Sequence, residues 1–310
     1  MPENKMFLPE GLKAVPKFTL SLLKDAMETG EILEAVPHRC SVDHTLHFTL
    51  GGISAQMNRA DAIAPWISGA NRQISVISRV GKQTCFTVKE LKTDEKGAPI
   101  LILNRREVQE RTMEWFLEYL KPGMVLTCCV THMESFGAFL DIGCGVIAML
   151  PIEHISISRI SHPRDRFYPG QKILAAVLEI NREKRRITMT HRELLGTWME
   201  NASEFSVGET VQGIVRSVQS YGSFIELTPN LSGLTDVRDG LCAGDRVSVF
   251  LKNMDPERMK IKLQLIEKLS ESSVLPPLRY WVTDGQLTRW VYSPPNCEKT
   301  VETVFTEAFP

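Results

Sequence analysis

Two five-residue segments stand out for the residue types they bring together, Ser135-Phe136-Gly137-Ala138-Phe139 and Ser220-Tyr221-Gly222-Ser223-Phe224. Each sets two aromatic rings three positions apart around a glycine. On a regular strand such residues face opposite ways, so both rings reach one surface only if the chain bends between them. Flat rings on one surface offer stacking rather than bond making. Consistent with that, there is no phosphate-cradling Gly-rich loop and no recognisable pairing of a nucleophile with a base, so the reading is non-enzymatic, with no catalytic residue and no cofactor. The seven cysteines include one adjacent pair, Cys128-Cys129, and no Cys-x-x-Cys, and a metal site is rejected. His132 and His191 sit in strand or strand-end contexts and read as structural histidines.

The aromatic segments belong to a longer repeat. Laying Gly208 on Gly123 superposes Val215 on Val130, Tyr221 on Phe136, Phe224 on Phe139 and Ile225 on Leu140 without a gap, a shift of 85 residues. Further on, Gly244 falls on Gly170, Asp255 on Asn181, Lys260 on Arg186 and Ile261 on Ile187, a shift of 74. The first copy therefore carries 11 extra residues, around Ile157 to Phe167, read as a loop. A looser third copy precedes both, from about Gly30 to Arg106, with Gln73 to Val80 among its candidate strands.

Short alternating apolar and polar runs separated by Gly and Pro fill each copy, the period of pleated strands. Five strands in about 70 residues make a small closed barrel. The expected architecture is all-β: three tandem five-stranded OB-fold barrels, the first degenerate, joined by short helices, with a C-terminal β-hairpin tail. Its parts are an N-terminal extension (1–29), a degenerate barrel (30–107), a helical connector (108–120), a barrel (121–193), a second connector (194–205), a further barrel (206–268) and the tail (269–310). In the tail, Asp284-Gly285 is read as the hairpin turn, with Tyr280 and Leu287 on one face and Trp281 and Trp290 on the other.

The chain of 310 residues has a formal charge of −1, which removes bulk basicity as an argument for a polyanionic partner. Charge sorts locally instead: residues 121–195 carry ten basic and seven acidic groups, whereas 206–268 are balanced. No apolar run is long enough for a membrane span, no signal peptide is read, and the odd cysteine count fits a reduced, cytoplasmic setting.

Around the aromatic pairs the sequence resembles the S-one-type RNA-binding domain, named for the largest protein of the bacterial small ribosomal subunit. Gly170-Gln171-Lys172, Val177-Leu178-Glu179-Ile180-Asn181 and Arg186-Ile187-Thr188-Met189-Thr190 look like that family's later strands. The resemblance is close over 120–268 and loose over 30–106. It implies a barrel whose second and third strands bind single-stranded RNA, with bases stacked on Phe136 and Phe139 and on Tyr221 and Phe224. Stacking on an aromatic face is worth about 1 to 3 kcal/mol per base whatever the base. The family's arginine after the last hairpin corresponds to Arg186 and Lys260, and Lys184, Arg185 and Arg186 form the basic run expected at phosphates. Its acidic residue before that hairpin corresponds to Asn181 and Asp255. Its histidine position holds Pro151 and Asp236, so His154 is the candidate substitute. Arg159, Arg164 and Arg166 of the insertion extend the basic strip.

The function expected from this resemblance is single-stranded RNA binding, messenger RNA first, linked to translation, with the small ribosomal subunit as a candidate partner and neither a membrane nor a small-molecule substrate. The competing expectation is a protein-interaction scaffold of translation or RNA-decay machinery that does not touch RNA.

Overall fold

A computed structural model describes residues 7–66, 70–93, 97–270 and 278–306. It divides into two compact units, Met1–Leu120 with Thr127–Cys129 and Leu140–Ala148, and Lys121–Leu126 with Val130–Phe139 and Met149–Pro310. Part of the tail, residues 271–277, and the ends of both terminal segments lie outside the described residues.

The first module is an open, curled sheet rather than a closed barrel. It holds β1 (Leu33–Ala35), β2 (Arg39–Cys40), β3 (Leu46–Leu50), β4 (Ile53–Met57), β5 (Thr84–Thr93) and β6 (Pro99–Asn104), in the order β1-β5-β6-β4-β3-β2. Gln73 to Val80 is not a strand: α2 (Ala70–Ile77) covers most of it, and the fourth strand of the module is β5. The run Ile74-Ser75-Val76-Ile77-Ser78 fits both the strand and the helix period, and Val76 is fully buried while Ile74 and Ile77 face out. Helix α1 (Leu20–Thr29) packs Leu23 and Ala26 onto the same core, which centres on Phe48 and Phe86 at 5.7 Å between rings. Helix α3 (Arg106–Tyr119) follows, as the connector pattern predicts, burying Val108, Thr112, Met113 and Phe116 along one face.

The next two modules are closed five-stranded barrels. One comprises β7 (Val125–Glu134), β8 (Gly137–Gly143), β9 (Val146–Pro151), β10 (Lys172–Asn181) and β11 (Arg186–Thr190). The other comprises β12 (Thr210–Gln219), β13 (Gly222–Thr228), β14 (Leu231–Thr235), β15 (Arg246–Asp255) and β16 (Lys260–Lys268). All three modules share two signatures: the last strand lies parallel to the third, and the fourth carries a one-residue bulge, between Val88 and Glu90, Val177 and Glu179, and Leu251 and Asn253. The degenerate module is thus built on the same plan, with its first strand split between β1 and β2.

The second connector is two short pieces, a 3₁₀ turn at Arg192–Leu195 and α4 (Trp198–Ala202), broken at Gly196 with φ +86°. Thr197 and Glu200 close α4 with a capping box.

In the tail the expected turn is displaced. Asp284-Gly285 does not join two paired strands: Gln286 bridges to Met124, and the Leu287 N–H donates to the Gly123 carbonyl at 2.9 Å, so this stretch runs along the start of β7. On its other side the Trp281 N–H donates to the Leu194 carbonyl at 2.8 Å. The hairpin that does form pairs β17 (Arg289–Val291) with β18 (Glu302–Val304). Trp290 and Tyr292 are buried in a hydrophobic cluster that the last barrel shares with the second connector, which separates Trp290 from the face expected to carry Trp281.

Candidate nucleic-acid interface

The bend that brings two rings to one side comes from the turn, not from within a strand. β7 ends at Glu134 and β8 starts at Gly137, so Phe136 occupies the second place of a two-residue turn; Tyr221 does the same between β12 and β13. The glycine after it is required by packing, since a Cβ on Gly137 would lie 2.5 Å from the Leu150 carbonyl oxygen and one on Gly222 2.3 Å from that of Thr235. Phe136 and Tyr221 are 52% and 63% exposed, and Phe139 and Phe224 are half-buried. Within each pair the rings meet edge to face, at 6.0 Å and 6.3 Å.

Register then fixes what lies beside them. In the last barrel Ser217 pairs with Phe224, Phe224 with Leu234, Leu234 with Lys262 and Lys262 with Asn253, so these side chains form one outward row across five strands. Neighbouring strands lie about 4.8 Å apart, so the Lys262 backbone is some 10 Å from that of Phe224, within reach of a nucleotide seated on the ring. The same row in the preceding barrel runs through His132, Phe139, Met149 and Thr188, with Thr188 paired to Met149. His132 lies flat on Phe139, ring centres 4.2 Å apart and planes within 5°. It adds a third ring to the platform, and burial lowers its pKa below the usual histidine value, favouring the neutral ring. In the open sheet the equivalent row is Arg39, His47, Gln56 and Ile102, with Phe48 turned into the core. No aromatic pair stands on that row.

Neither His132 nor Lys262 stands out as a site residue in sequence. The 85-residue shift does align His132 with Ser217, and the 74-residue shift aligns Lys262 with Thr188; both substitutions are visible only once the register makes them neighbours of the rings.

The basic run sits on the β10–β11 hairpin, Lys184 and Arg186 exposed and Arg185 half-buried at φ +49°. Met259 repeats that conformation at φ +49°. Asn181 and Asp255 are turn formers: their side-chain oxygens accept the N–H groups of Lys184 at 2.8 Å and Arg258 at 3.2 Å. Lys260 is exposed on β16, one outward step from Lys262. His154 is half-buried, its Nδ1 3.3 Å from the Thr190 hydroxyl, and burial with Arg192 nearby lowers its pKa. His191 is fully buried and satisfied: Nδ1–H donates to the Ile155 carbonyl at 2.8 Å and Nε2 accepts the Tyr280 hydroxyl at 3.1 Å.

Arg166 departs from expectation. Its side chain is 6% exposed and ion-paired with Glu226 of the last barrel, so it does not extend the surface strip. The insertion that carries it is a brace: the Ile157 N–H donates to Asn230 Oδ1 at 3.0 Å and the Ser158 N–H to the Pro229 carbonyl at 3.0 Å.

Residues 119–192 match the family model of the S1 RNA binding domain. This barrel is an S1 domain. Across more of the chain, the small ribosomal subunit protein bS1 of Leuconostoc lactis is 27% identical over 71% of this chain and 55% of its own length. The bS1 homolog of Bacillus subtilis is 31% identical over 51% of this chain and 41% of its own. The chain spans about half or less of the length of the curated relatives it matches. A solved multidomain protein with nucleic acid binding domains from Streptococcus pneumoniae covers 76% of this chain at 12% identity with a TM-score of 0.25, a low overall likeness. Among the described residues no helix is long and apolar enough to cross a membrane. The barrel at 210–268 repeats the strand order of the S1 domain, and the two differ at the outer row, where one has His132 and Thr188 and the other Ser217 and Lys262.

Proposed function

We propose that the chain binds single-stranded RNA on the outer faces of its two closed barrels, without catalysing a reaction, and that messenger RNA engaged in translation is the RNA concerned, with the small ribosomal subunit as partner. The observation that carries this reading is the outward row of ring and charge, Phe224 to Lys262 in one barrel and His132 on Phe139 in the other. Bases stack on the rings of Phe136, Phe139, Tyr221 and Phe224, and Lys184, Arg185, Arg186, Lys260 and Lys262 hold phosphates. His154, half-buried beside Thr190, is a further candidate RNA contact in place of the family's histidine. The S1 match and the ribosomal names of the relatives support the same reading.

The test is binding of a labelled single-stranded oligonucleotide to the full chain across a salt series. Phe136→Ala weakens binding at every salt concentration. A Lys184, Arg185, Arg186 triple alanine variant flattens the logarithmic salt slope by about two, at about 0.7 per phosphate contact. Wild-type behaviour in both variants defeats the proposal.

The open first sheet supports a second role for that module alone. Its outer row, with His47 and Gln56 where the barrels carry rings, suits a protein partner better than a base. Capture of partners from lysate that persists after ribonuclease treatment, and is lost without residues 30–107, supports a scaffold role there.

A further inference from the structure

A cavity of about 320 Å³ opens between the two closed barrels and the tail, lined among others by Arg166 and Gln171 of the first, Gln212, Arg216 and Glu226 of the second, and Trp281. The β12 bulge falls between Val215 and Ser217, so Arg216 is the extra residue, re-aimed at Glu226. Its Nε donates to Glu226 Oε2 at 2.7 Å and its Nη2 to Oε1 at 3.1 Å, while Arg166 Nη2 donates to the same Oε2. All three side chains are at least nine-tenths buried.

Two guanidinium groups therefore share one carboxylate. The other acids on the wall are already engaged: Asp165 accepts the Ser161 and His162 N–H groups, and Glu204 pairs with Arg279, whose guanidinium lies 4.2 Å from the centre of the Trp281 ring. Arg166 Nε is buried with no hydrogen-bond partner. Arg166 thus shares its one anion with Arg216 and keeps an unsatisfied N–H, a costly arrangement for a buried cation, and burial indeed pushes its pKa down. The planar guanidinium fork matches a phosphate. A volume of this order holds roughly ten waters at about 30 Å³ each, far more than one phosphate fills.

We propose that this inter-barrel cavity is a binding site for a phosphorylated nucleoside, its phosphate seated on Arg166 and Arg216 and its nucleoside beside Gln171 and Gln212. The site is separate from the aromatic platforms and stands whether or not they bind RNA. Its ligand is either a free nucleotide or the phosphorylated end of an RNA chain.

The experiment titrates the full chain with AMP and with adenosine at low ionic strength, followed by calorimetry. AMP binds in the millimolar range or tighter, and adenosine at least about tenfold more weakly. Arg216→Met removes the surplus charge but keeps the Arg166 to Glu226 pair between the barrels, and lowers AMP affinity about tenfold or more; Phe139→Ala leaves it unchanged. A 5′-phosphorylated oligonucleotide that displaces AMP better than its 5′-hydroxyl counterpart identifies an RNA end as the ligand, and equal failure of both identifies the free nucleotide. No heat with AMP, equal affinity for adenosine, undiminished affinity in Arg216→Met, or loss in Phe139→Ala overturns the proposal. The comparison of AMP with adenosine on the wild-type chain holds even if Arg216→Met fails to fold.

Discussion

His132 and Phe139 lie face to face, 4.2 Å apart on neighbouring strands, so that an imidazole covers one side of the ring expected to meet a base. The aromatic surface of the S1 domain therefore has three rings, whereas in the last barrel the matching position holds Ser217, which adds none.

His132→Ala tests the added ring. Losing one stacking face costs about 1 kcal/mol, a roughly fivefold weaker complex with single-stranded RNA. The loss is the same at low and high salt, because a neutral ring contributes no counterion release. Unchanged affinity in an anisotropy titration shows that His132 only buttresses Phe139.

Lys262 and Thr188 make a reciprocal pair. Lys262→Ala lowers the salt slope of RNA binding by about 0.7, one phosphate contact, and Thr188→Lys raises it by the same amount. Slopes equal to wild type in both variants exclude the outward row as a phosphate track.

Gly123 is a point of close approach by the tail. It sits at φ +85°, and a Cβ there would fall 1.8 Å from the Leu287 carbonyl oxygen. Gly170 has the same φ of +85° with nothing within 4 Å of the added atom. Gly170→Ala thus carries only the conformational cost, about 1 kcal/mol, and Gly123→Ala adds displacement of the tail, for a total of about 3 kcal/mol. Thermal melting of both variants reads the difference; equal shifts mean that the tail contributes nothing to stability.

Acid acts on the second unit through His191. Burial lowers its pKa from 6.5 to about 4, so above pH 6.5 both states are neutral and stability does not depend on it. Between pH 6.5 and about 4 the unfolded chain takes up a proton that the folded one refuses, and stability falls, by about 3 kcal/mol in all. In His191→Gln the melting temperature declines less steeply over that interval. A parallel decline in both proteins removes His191 as the cause.

How much of this was written in the sequence depends on whether the signal was local. Phe136, Phe139, Tyr221 and Phe224 were legible because a turn, a glycine and a gapless repeat all fall within a few residues. The α3 connector was legible for the same reason, its apolar positions recurring at helical spacing. The strand mistaken at Gln73 to Val80 shows the opposite: five residues fit two periods, and packing of Val76 decided. The tail failed similarly, since Asp284-Gly285 carries a local turn signal but Leu287 finds its partner at Gly123, far away in the chain. Lys262 and the burial of Arg166 depend on partners far away in the chain, and His132 on the register of the β7–β8 hairpin, none of which residue types announce.

The insertion from Ile157 to Phe167 bonds its backbone to the β13–β14 turn and buries Arg166 against Glu226, so the neighbouring barrels are tied by more than the chain that joins them. A strand gripping both ring clusters must then bridge a gap whose width the protein dictates, so avidity should peak at one oligonucleotide length and drop for shorter ones.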